Sequence, residues 1–166
     1  FISFVIILIR YLFYNKISTA QEISNFTDIP IIGAIPLHTK KLEYSQLLVH
    51  KSPKSIITES FRNVRSNMEF LTDSKTAKII SVSSTVSGEG KTFVAINLSG
   101  ILAMTNKKVV LLDLDLRKPS LHNSFKFENN KGISTILIKK HKIEACLNDT
   151  EIDNLKVITS GPWFSP

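Results

Sequence analysis

The residues best suited to chemistry lie in the loop Ser83–Thr92, which reads Ser-Ser-Thr-Val-Ser-Gly-Glu-Gly-Lys-Thr. Glycines in such a loop let the backbone approach an anion, and successive N–H groups point into one concavity. Lys91 can then reach terminal phosphates, and the Thr92 hydroxyl suits Mg²⁺, which prefers oxygen ligands. The loop therefore predicts nucleotide binding, with an ordinary glycine-containing turn between strand and helix as the alternative.

The loop departs from the usual phosphate-binding pattern at one position. That pattern has a glycine six residues before the lysine, where this chain has Thr85. The context still favours phosphate binding, because the apolar run Lys78–Val82 predicts a strand before the loop and a helical pattern follows it. We expect Glu89 to be solvated, since an acid that faced the phosphates would repel them.

A second group of chemically capable residues follows the aliphatic run Val109–Leu112. That run predicts a strand covered on both faces, and open parallel sheets bind ligands at the carboxyl ends of their strands. Asp113 and Asp115 would point to the same side of an extended backbone. They could hold Mg²⁺ or accept a proton from a hydroxyl, with Arg117 steadying one of them. The alternative is a solvated strand end with a surface salt bridge.

An amphipathic helix is predicted upstream of the loop. Ser52-Pro53 is a typical helix start, and the apolar positions that follow recur at helical spacing; they are Ile57, Phe61, Val64, Met68 and Leu71. Glu59 and Arg62 lie away from this stripe and Arg65 at its border. They are available to pair with a neighbouring subunit, although an ordinary solvated helix face is the alternative.

The chain begins with an apolar stretch, residues 1–14. A membrane span needs about 20 apolar residues, so we interpret this stretch as the cytoplasmic end of a truncated transmembrane helix. Residues typical of a membrane interface lie at its end: Arg10, Tyr11, Phe13, Tyr14 and Lys16. A core helix of the soluble domain is the alternative.

Composition is consistent with one α/β domain. With 166 residues and 43% hydrophobic content, the chain can bury one core. The single Cys146 cannot form an internal disulfide, which fits a reducing cytoplasm. The net charge of +7 favours anionic partners. Anionic lipid is a better candidate than nucleic acid, because no recognition motif or interleaved aromatic residues accompany the lysines.

Several stretches together resemble one protein family. They are Glu59–Asn67, Ser87–Thr92, Leu111–His122, Asn130–Leu137 and Leu155–Pro162. Their combination is similar to the bacterial tyrosine kinases that control capsular and exopolysaccharide synthesis, over most of residues 28–162. The resemblance implies a P-loop NTPase-like fold, with a mostly parallel, doubly wound sheet and helices on both faces.

The same resemblance implies a cofactor, roles for residues and an assembly. ATP and Mg²⁺ are the expected cofactors. The implied catalytic residues are Lys91, Asp113 and Asp115; those that bind nucleotide are Ser87, Gly88, Glu89, Gly90, Lys91, Thr92 and Arg117; and those that bind metal are Thr92, Asp113 and Asp115. Glu59, Arg62 and Arg65 would mediate a ring-like homo-oligomer. Which of the two acids is the base is left open.

The resemblance also implies an organisation and partners. We expect residues 1–14 to end a membrane helix, 15–51 to form a juxtamembrane linker, and 52–166 to form the first part of a cytoplasmic kinase domain, cut before its third acidic motif. The expected partners are the inner membrane of a bacterium, the polysaccharide polymerisation and export machinery, and a phosphatase. A fragment of this kind would be inactive alone. The alternatives are a partitioning or division-site ATPase, although Val86 replaces the signature lysine of those proteins, and a nucleotide-binding scaffold.

Overall fold

The computed structural model describes residues 2–12, 20–38, 44, 46–71 and 77–162. They belong to two compact units, Phe1–Ala34 and Ile35–Pro166. The first unit contains the helices α1 (Ile2–Leu12) and α2 (Ala20–Ser24). Within the described ranges, no helix has both the length and the apolar character needed to cross a membrane. The predicted interfacial residues Phe13, Tyr14 and Lys16 lie outside those ranges.

The second unit has an α/β architecture. Its elements in chain order are α3 (Leu48–Lys51), α4 (Ile56–Leu71), α5 (Lys91–Ala103), β1 (Val109–Leu112), α6 (Leu121–Phe125), α7 (Ile133–Leu137), α8 (Ile143–Cys146), β2 (Asn148–Asp149) and β3 (Leu155–Ile158).

Helix α4 agrees with the predicted amphipathic pattern in its centre and differs at its ends. Phe61 and Val64 are buried, whereas Leu71 at the end of the stripe is 58% exposed. The helix begins at Ile56 rather than near Ser52, because the Ser55 hydroxyl accepts a hydrogen bond from the Thr58 N–H at 3.2 Å. A side-chain cap of this kind satisfies one of the free amides of a first helical turn.

Helix α5 lies at the centre of the core and anchors the short helix α3. The fully buried Asn97 accepts a hydrogen bond from the Val49 N–H at 3.1 Å and donates to the Gln46 carbonyl at 3.0 Å. Gly100 permits this close approach, because a Cβ there would lie 2.6 Å from Leu47 and 2.8 Å from Val49. The helix that follows the glycine-containing loop is therefore held firmly in place.

In the described residues, the sheet has three strands in the order β1-β3-β2. Strands β1 and β3 are parallel, with Val109 opposite Leu155 and Leu112 opposite Ile158, as predicted for an α/β domain. Strand β2 joins β3 antiparallel over two residue pairs. The strand predicted at Lys78–Val82 is not observed, because residues 77–84 do not form a β-strand.

The two parallel strands, β1 and β3, are covered to different extents. Leu155, Val157 and Ile158 of β3 are almost completely buried, but Val110 and Leu112 of β1 are 51% and 45% exposed. The prediction that the run Val109–Leu112 is covered on both faces is therefore wrong for β1 among the described residues. Its partly buried residues, Val109 and Leu111, alternate with the exposed ones, as in a strand packed on one face only.

Candidate phosphate-binding site

The loop before α5 has the backbone shape that glycine favours. Gly88 and Gly90 have φ angles of +93° and +97°, in the left-handed region that other residues rarely adopt. A Cβ at either position would contact nothing within 4 Å, so the conformation, and not a lack of space, explains the glycines. Gly90 also accepts the hydrogen bond of the Val94 N–H and so begins α5. Among the described residues, no hydrogen bond engages the first backbone N–H groups of this helix, so they can bind an anion.

Glu89 lies in the loop and bonds to the loop itself. Its side chain was expected to be solvated, and the residue is exposed. Its Oε2 atom nevertheless accepts hydrogen bonds from the Val86 N–H at 3.2 Å and from the Thr85 hydroxyl at 3.5 Å. The Ser84 hydroxyl donates to the Val86 carbonyl at 2.9 Å. Both polar groups of the Val86 backbone are thus held, which fixes the entry to the loop.

Asp113 lies directly after β1 and is buried, with 6% of its surface exposed. Its carboxylate accepts hydrogen bonds from the N–H groups of Asp115 and Leu121, each at 3.2 Å. Burial raises the pKa of Asp113 above its ordinary value, and the charge of Asp115 adds to this rise. Backbone N–H groups, that of Leu121 foremost, act in the opposite direction.

Asp115 has a different environment from Asp113, although both acids were predicted to point to one side of an extended strand. The strand ends at Leu112, and the backbone turns so that the Asp115 N–H faces the Asp113 side chain. Asp115 is exposed and accepts a hydrogen bond from the Lys118 N–H at 3.0 Å. Arg117 is exposed, and in the described part of the chain no salt bridge joins it to either acid.

A chain of hydrogen bonds connects the loop with the buried acid. The Thr92 and Ser120 hydroxyls are 3.1 Å apart, and the next residue, Leu121, donates its N–H to Asp113. The structure therefore links Thr92 and Asp113 to adjacent residues of one segment, Ser120 and Leu121. Hydroxyl and carboxylate oxygens are the donors that Mg²⁺ prefers, so this set of side chains fits that ion.

Ser120 is a site residue that the sequence argument did not single out. Its hydroxyl contacts Thr92, and the backbone N–H of Ser120 contributes to the electrostatic environment of Asp113. The available signal was Pro119-Ser120 just before an apolar residue, a pattern typical of a helix start. That pattern predicts α6, but it does not predict contact with a loop 28 residues earlier.

The residues predicted to mediate assembly lie on α4 and interact mainly within the helix. Glu59 and Arg62 form a salt bridge at 2.7 Å, and Arg62 also donates to the Pro53 carbonyl at 3.1 Å. The Arg65 Nε atom is buried and has no hydrogen-bond partner among the described residues. Glu59 and Arg62 keep much of their surface exposed, so the pair lies at the protein surface.

Comparison with known proteins places the chain in a family. The family model described as "AAA domain" matches residues 77–165, just over half of the chain. The chain is 40% identical over 110 residues to the tyrosine-protein kinase YwqD of Bacillus subtilis. The aligned residues are 66% of this chain and 46% of that protein. It is 37% identical over 123 residues to the putative tyrosine-protein kinase CapB of Staphylococcus aureus, covering 74% and 54% of the two proteins.

Solved structures agree with these relatives. The chimerical protein CapA2B2 matches with a TM-score of 0.74 and 34% identity, over 88% of this chain and 62% of that one. The kinase domain of the Escherichia coli tyrosine kinase ETK matches with a TM-score of 0.80; at 22% identity this likeness concerns the fold alone. The chain spans about half the length of the curated relatives named above. It belongs to the AAA-domain family, and the relatives named above are tyrosine-protein kinases of bacteria.

Proposed function

We propose that this chain forms part of an ATP-dependent tyrosine kinase that phosphorylates its own tyrosines and regulates capsular or exopolysaccharide synthesis. The observation that carries the proposal is the contact between Thr92 and Ser120, because it joins the phosphate-binding loop to the turn held by Asp113. The names of the relatives support the same reaction.

The proposed binding of ATP follows from the loop and the start of α5. The backbone of Ser87–Thr92, with left-handed glycines at positions 88 and 90, would surround the phosphates. The Lys91 ammonium would neutralise charge on the terminal phosphates, and among the described residues no salt bridge engages it. Positioning and charge neutralisation account for most catalysis of phosphoryl transfer, so these groups are the ones that matter most.

Thr92, Asp113 and Asp115 are the residues we propose for holding Mg²⁺. When bound, the ion would neutralise phosphate charge during the transfer. Asp113 is also the better candidate for accepting the proton of the tyrosine hydroxyl. It is buried beside the turn that contacts Thr92, and burial raises its pKa, which suits a proton acceptor. Asp115 remains exposed and would complete the site from the solvent side.

Assembly, location and partners form the remaining part of the proposal. The exposed Glu59–Arg62 pair and the adjacent Arg65 would contact a neighbouring subunit in a ring-like homo-oligomer. We further propose that the protein is anchored to the inner membrane with its kinase domain in the cytoplasm. There it would act with the polymerisation and export machinery. A phosphatase would remove the phosphates from its tyrosines.

Substitution of Lys91 tests the proposed function. In the full-length protein with ATP and Mg²⁺, the Lys91→Met variant is expected to lose tyrosine autophosphorylation, because the terminal phosphates lose their cation. Lys142→Met is a matched control, since Lys142 is an exposed lysine outside the loop. Normal tyrosine labelling of Lys91→Met would refute the kinase assignment. Release of free phosphate without tyrosine labelling by the unmodified protein would identify a partitioning-type ATPase.

A further inference from the structure

The turn that joins α7 to α8 presents lysine and aliphatic side chains together at the protein surface. A shallow, open depression of about 590 Å³ lies there, and residues 136 and 139–144 line it. Leu137 and Ile138 are adjacent in the chain, and both are exposed. We call residues 137–143 the α7–α8 patch. It shares no residue with the candidate phosphate-binding site.

The aliphatic side chains of the α7–α8 patch are exposed as a group. Leu137, Ile138 and Ile143 are 68%, 56% and 55% exposed. A single exposed aliphatic residue is common on a protein surface and needs no explanation, whereas several close together mark a contact surface. The partner of the patch must therefore offer an apolar layer.

The lysines of the patch carry positive charge that the described residues do not neutralise. Lys139, Lys140 and Lys142 are exposed, and within the ranges that the structure describes no salt bridge includes any of them. One acid, Glu144, lines the same depression, so lysines outnumber acids there. The partner must therefore also offer a layer of negative charge.

The backbone of the patch is held by hydrogen bonds to a buried residue. Lys139 has a φ angle of +57°, in the left-handed region, which ends α7 in a tight turn. The N–H groups of Lys140 and His141 donate to the Thr135 carbonyl at 2.9 and 3.3 Å. Thr135 is 1% exposed, and its hydroxyl contacts both backbone groups of Gly132. The patch is therefore ordered before a partner binds, which lowers the entropic cost of binding.

An anionic phospholipid bilayer offers both layers in the arrangement that the patch requires. Its phosphate groups lie just above the acyl chains, so lysine ammonium groups can contact phosphate while aliphatic side chains reach the acyl boundary. Proteins and nucleic acids fit less well. Protein interfaces are enriched in aromatic residues and arginine and depleted in lysine, and single-stranded nucleic acids stack on aromatic side chains. Residues 137–143 contain no phenylalanine, tyrosine, tryptophan or arginine.

We propose that the α7–α8 patch binds the surface of an anionic phospholipid bilayer. The inference rests on the membrane location in the proposed function and does not depend on kinase activity. Contact through the patch would give the α/β unit a defined orientation on the bilayer, because one turn carries both the charged and the apolar groups. Attraction between exposed charges is screened by salt, so the contact should weaken as the ionic strength rises.

A polarity-sensitive fluorophore on the patch tests the inference in the whole 166-residue chain. It is attached to Leu137→Cys and, as a matched control, to Met104→Cys, since Met104 is an apolar residue outside the patch and is 42% exposed. The native Cys146 is buried, and the unmodified chain measures any labelling of it. The vesicles contain phosphatidylcholine alone or mixed with phosphatidylglycerol. Emission from position 137 should shift to shorter wavelength only with phosphatidylglycerol, and emission from position 104 should not shift.

The comparison between positions 137 and 104 isolates the patch. Any lipid contact of the apolar residues 1–14 is common to the two labelled chains, so only the difference between them reports on the patch. Circular dichroism checks that each labelled chain is folded. If Leu137→Cys does not fold, Ile143→Cys provides a second labelled position on the same patch.

Lysine variants identify the contribution of charge. Replacement of both Lys139 and Lys140 by glutamine should weaken the contact about 30-fold, so most of the shift at position 137 should be lost. Lys142 is left in place because it directly precedes α8. Replacement of both Lys108 and Lys131 by glutamine is the matched control. It removes the same charge from exposed positions outside the patch and should leave the shift unchanged.

Four results would overturn the proposal. The first is the absence of a shift at position 137 with phosphatidylglycerol in a folded chain. The second is an equal shift with phosphatidylcholine alone, which would mean that the patch does not recognise charge. The third is a shift without vesicles that grows with protein concentration, which would assign the patch to a second copy. The fourth is an equal loss of the shift in the control variant of Lys108 and Lys131, which would assign the effect to the net charge of the chain.

Cell fractionation tests the proposed membrane location separately. Full-length protein in the membrane fraction, without a shift at position 137, would agree with the location and refute lipid binding by the patch. A shift at position 137 with the full-length protein in the soluble fraction would support lipid binding by the patch and refute the location. The two failures are therefore distinguishable.

Discussion

Replacement of Asp113 by asparagine should destabilise the fold more than the same change at its neighbour Asp115. Asp113 is 6% exposed, and its two oxygens accept hydrogen bonds from two backbone N–H groups, those of Asp115 and Leu121. Asparagine keeps one acceptor oxygen and places an amide NH₂ where the other was. One backbone N–H then faces a donor and has no acceptor.

The expected loss of stability follows from these contacts. A hydrogen bond to a charged group contributes about 1.5–3 kcal/mol. Part of this loss is offset, because asparagine also avoids the cost of burying a carboxylate, the effect that raises the pKa of Asp113. We therefore expect Asp113→Asn to lower the free energy of unfolding by about 1–2 kcal/mol. Asp115→Asn should cost less than about 0.5 kcal/mol, because Asp115 is exposed and asparagine can still accept from the Lys118 N–H.

Urea unfolding monitored by circular dichroism measures the difference. With a slope of about 2 kcal/mol per molar urea, the middle of the typical range, the midpoint of Asp113→Asn should fall by roughly 0.5–1 M at an unchanged slope. The midpoint of Asp115→Asn should move by less than about half of that. An equal or larger shift for Asp115→Asn would refute the conclusion that Asp113 holds the turn to Leu121.

Two further predictions concern charged side chains. Glu89→Gln should bind nucleotide up to about fivefold more tightly than the unmodified chain, because it removes a negative charge near the phosphates and keeps an acceptor for the Val86 N–H. Glu89→Ala should gain less nucleotide affinity, because it loses the side chain that holds the loop entry. Titration with a fluorescent nucleotide measures both affinities, and tighter binding by Glu89→Ala than by Glu89→Gln would contradict this prediction. The second prediction concerns Glu69, whose pKa is lowered, first by the hydrogen bond from Lys107. The ionised Glu69 should stabilise the fold by less than about 1 kcal/mol. This stabilisation is complete above the ordinary pKa of a glutamate and disappears as the pH falls through the lowered pKa. Urea unfolding of Glu69→Gln should therefore differ from that of the unmodified chain at neutral pH but not at strongly acidic pH.

Local patterns in the sequence predicted the elements that depend on nearby residues. The run Val109–Leu112 predicted β1, and the pattern after the loop predicted α5, because apolar spacing and glycine placement act within a few residues. The start of α4 was misplaced by one turn, since Ser52-Pro53 and Ser55 are both suitable caps. Only the contact between the Ser55 hydroxyl and the Thr58 N–H distinguishes them.

Features that depend on distant contacts could not be predicted in the same way. The pairing of Thr92 with Ser120 and the burial of Asp113 both arise from the turn between β1 and α6, which local patterns do not determine. The strand predicted at Lys78–Val82 also shows that local patterns are not sufficient. Its composition is that of a buried strand, but a strand also needs a partner on at least one edge, and residues 77–162 provide none for it.

The two ends of the phosphate loop are held by contacts of different kinds. The loop is held at its end by α5, whose buried Asn97 and Gly100 fix it against α3. It is held at its entry only by its own side chains, Ser84, Thr85 and Glu89, because the segment before it has no neighbouring strand among the described residues. Removal of these side-chain contacts should therefore loosen the entry to the loop, while its other end stays held by α5.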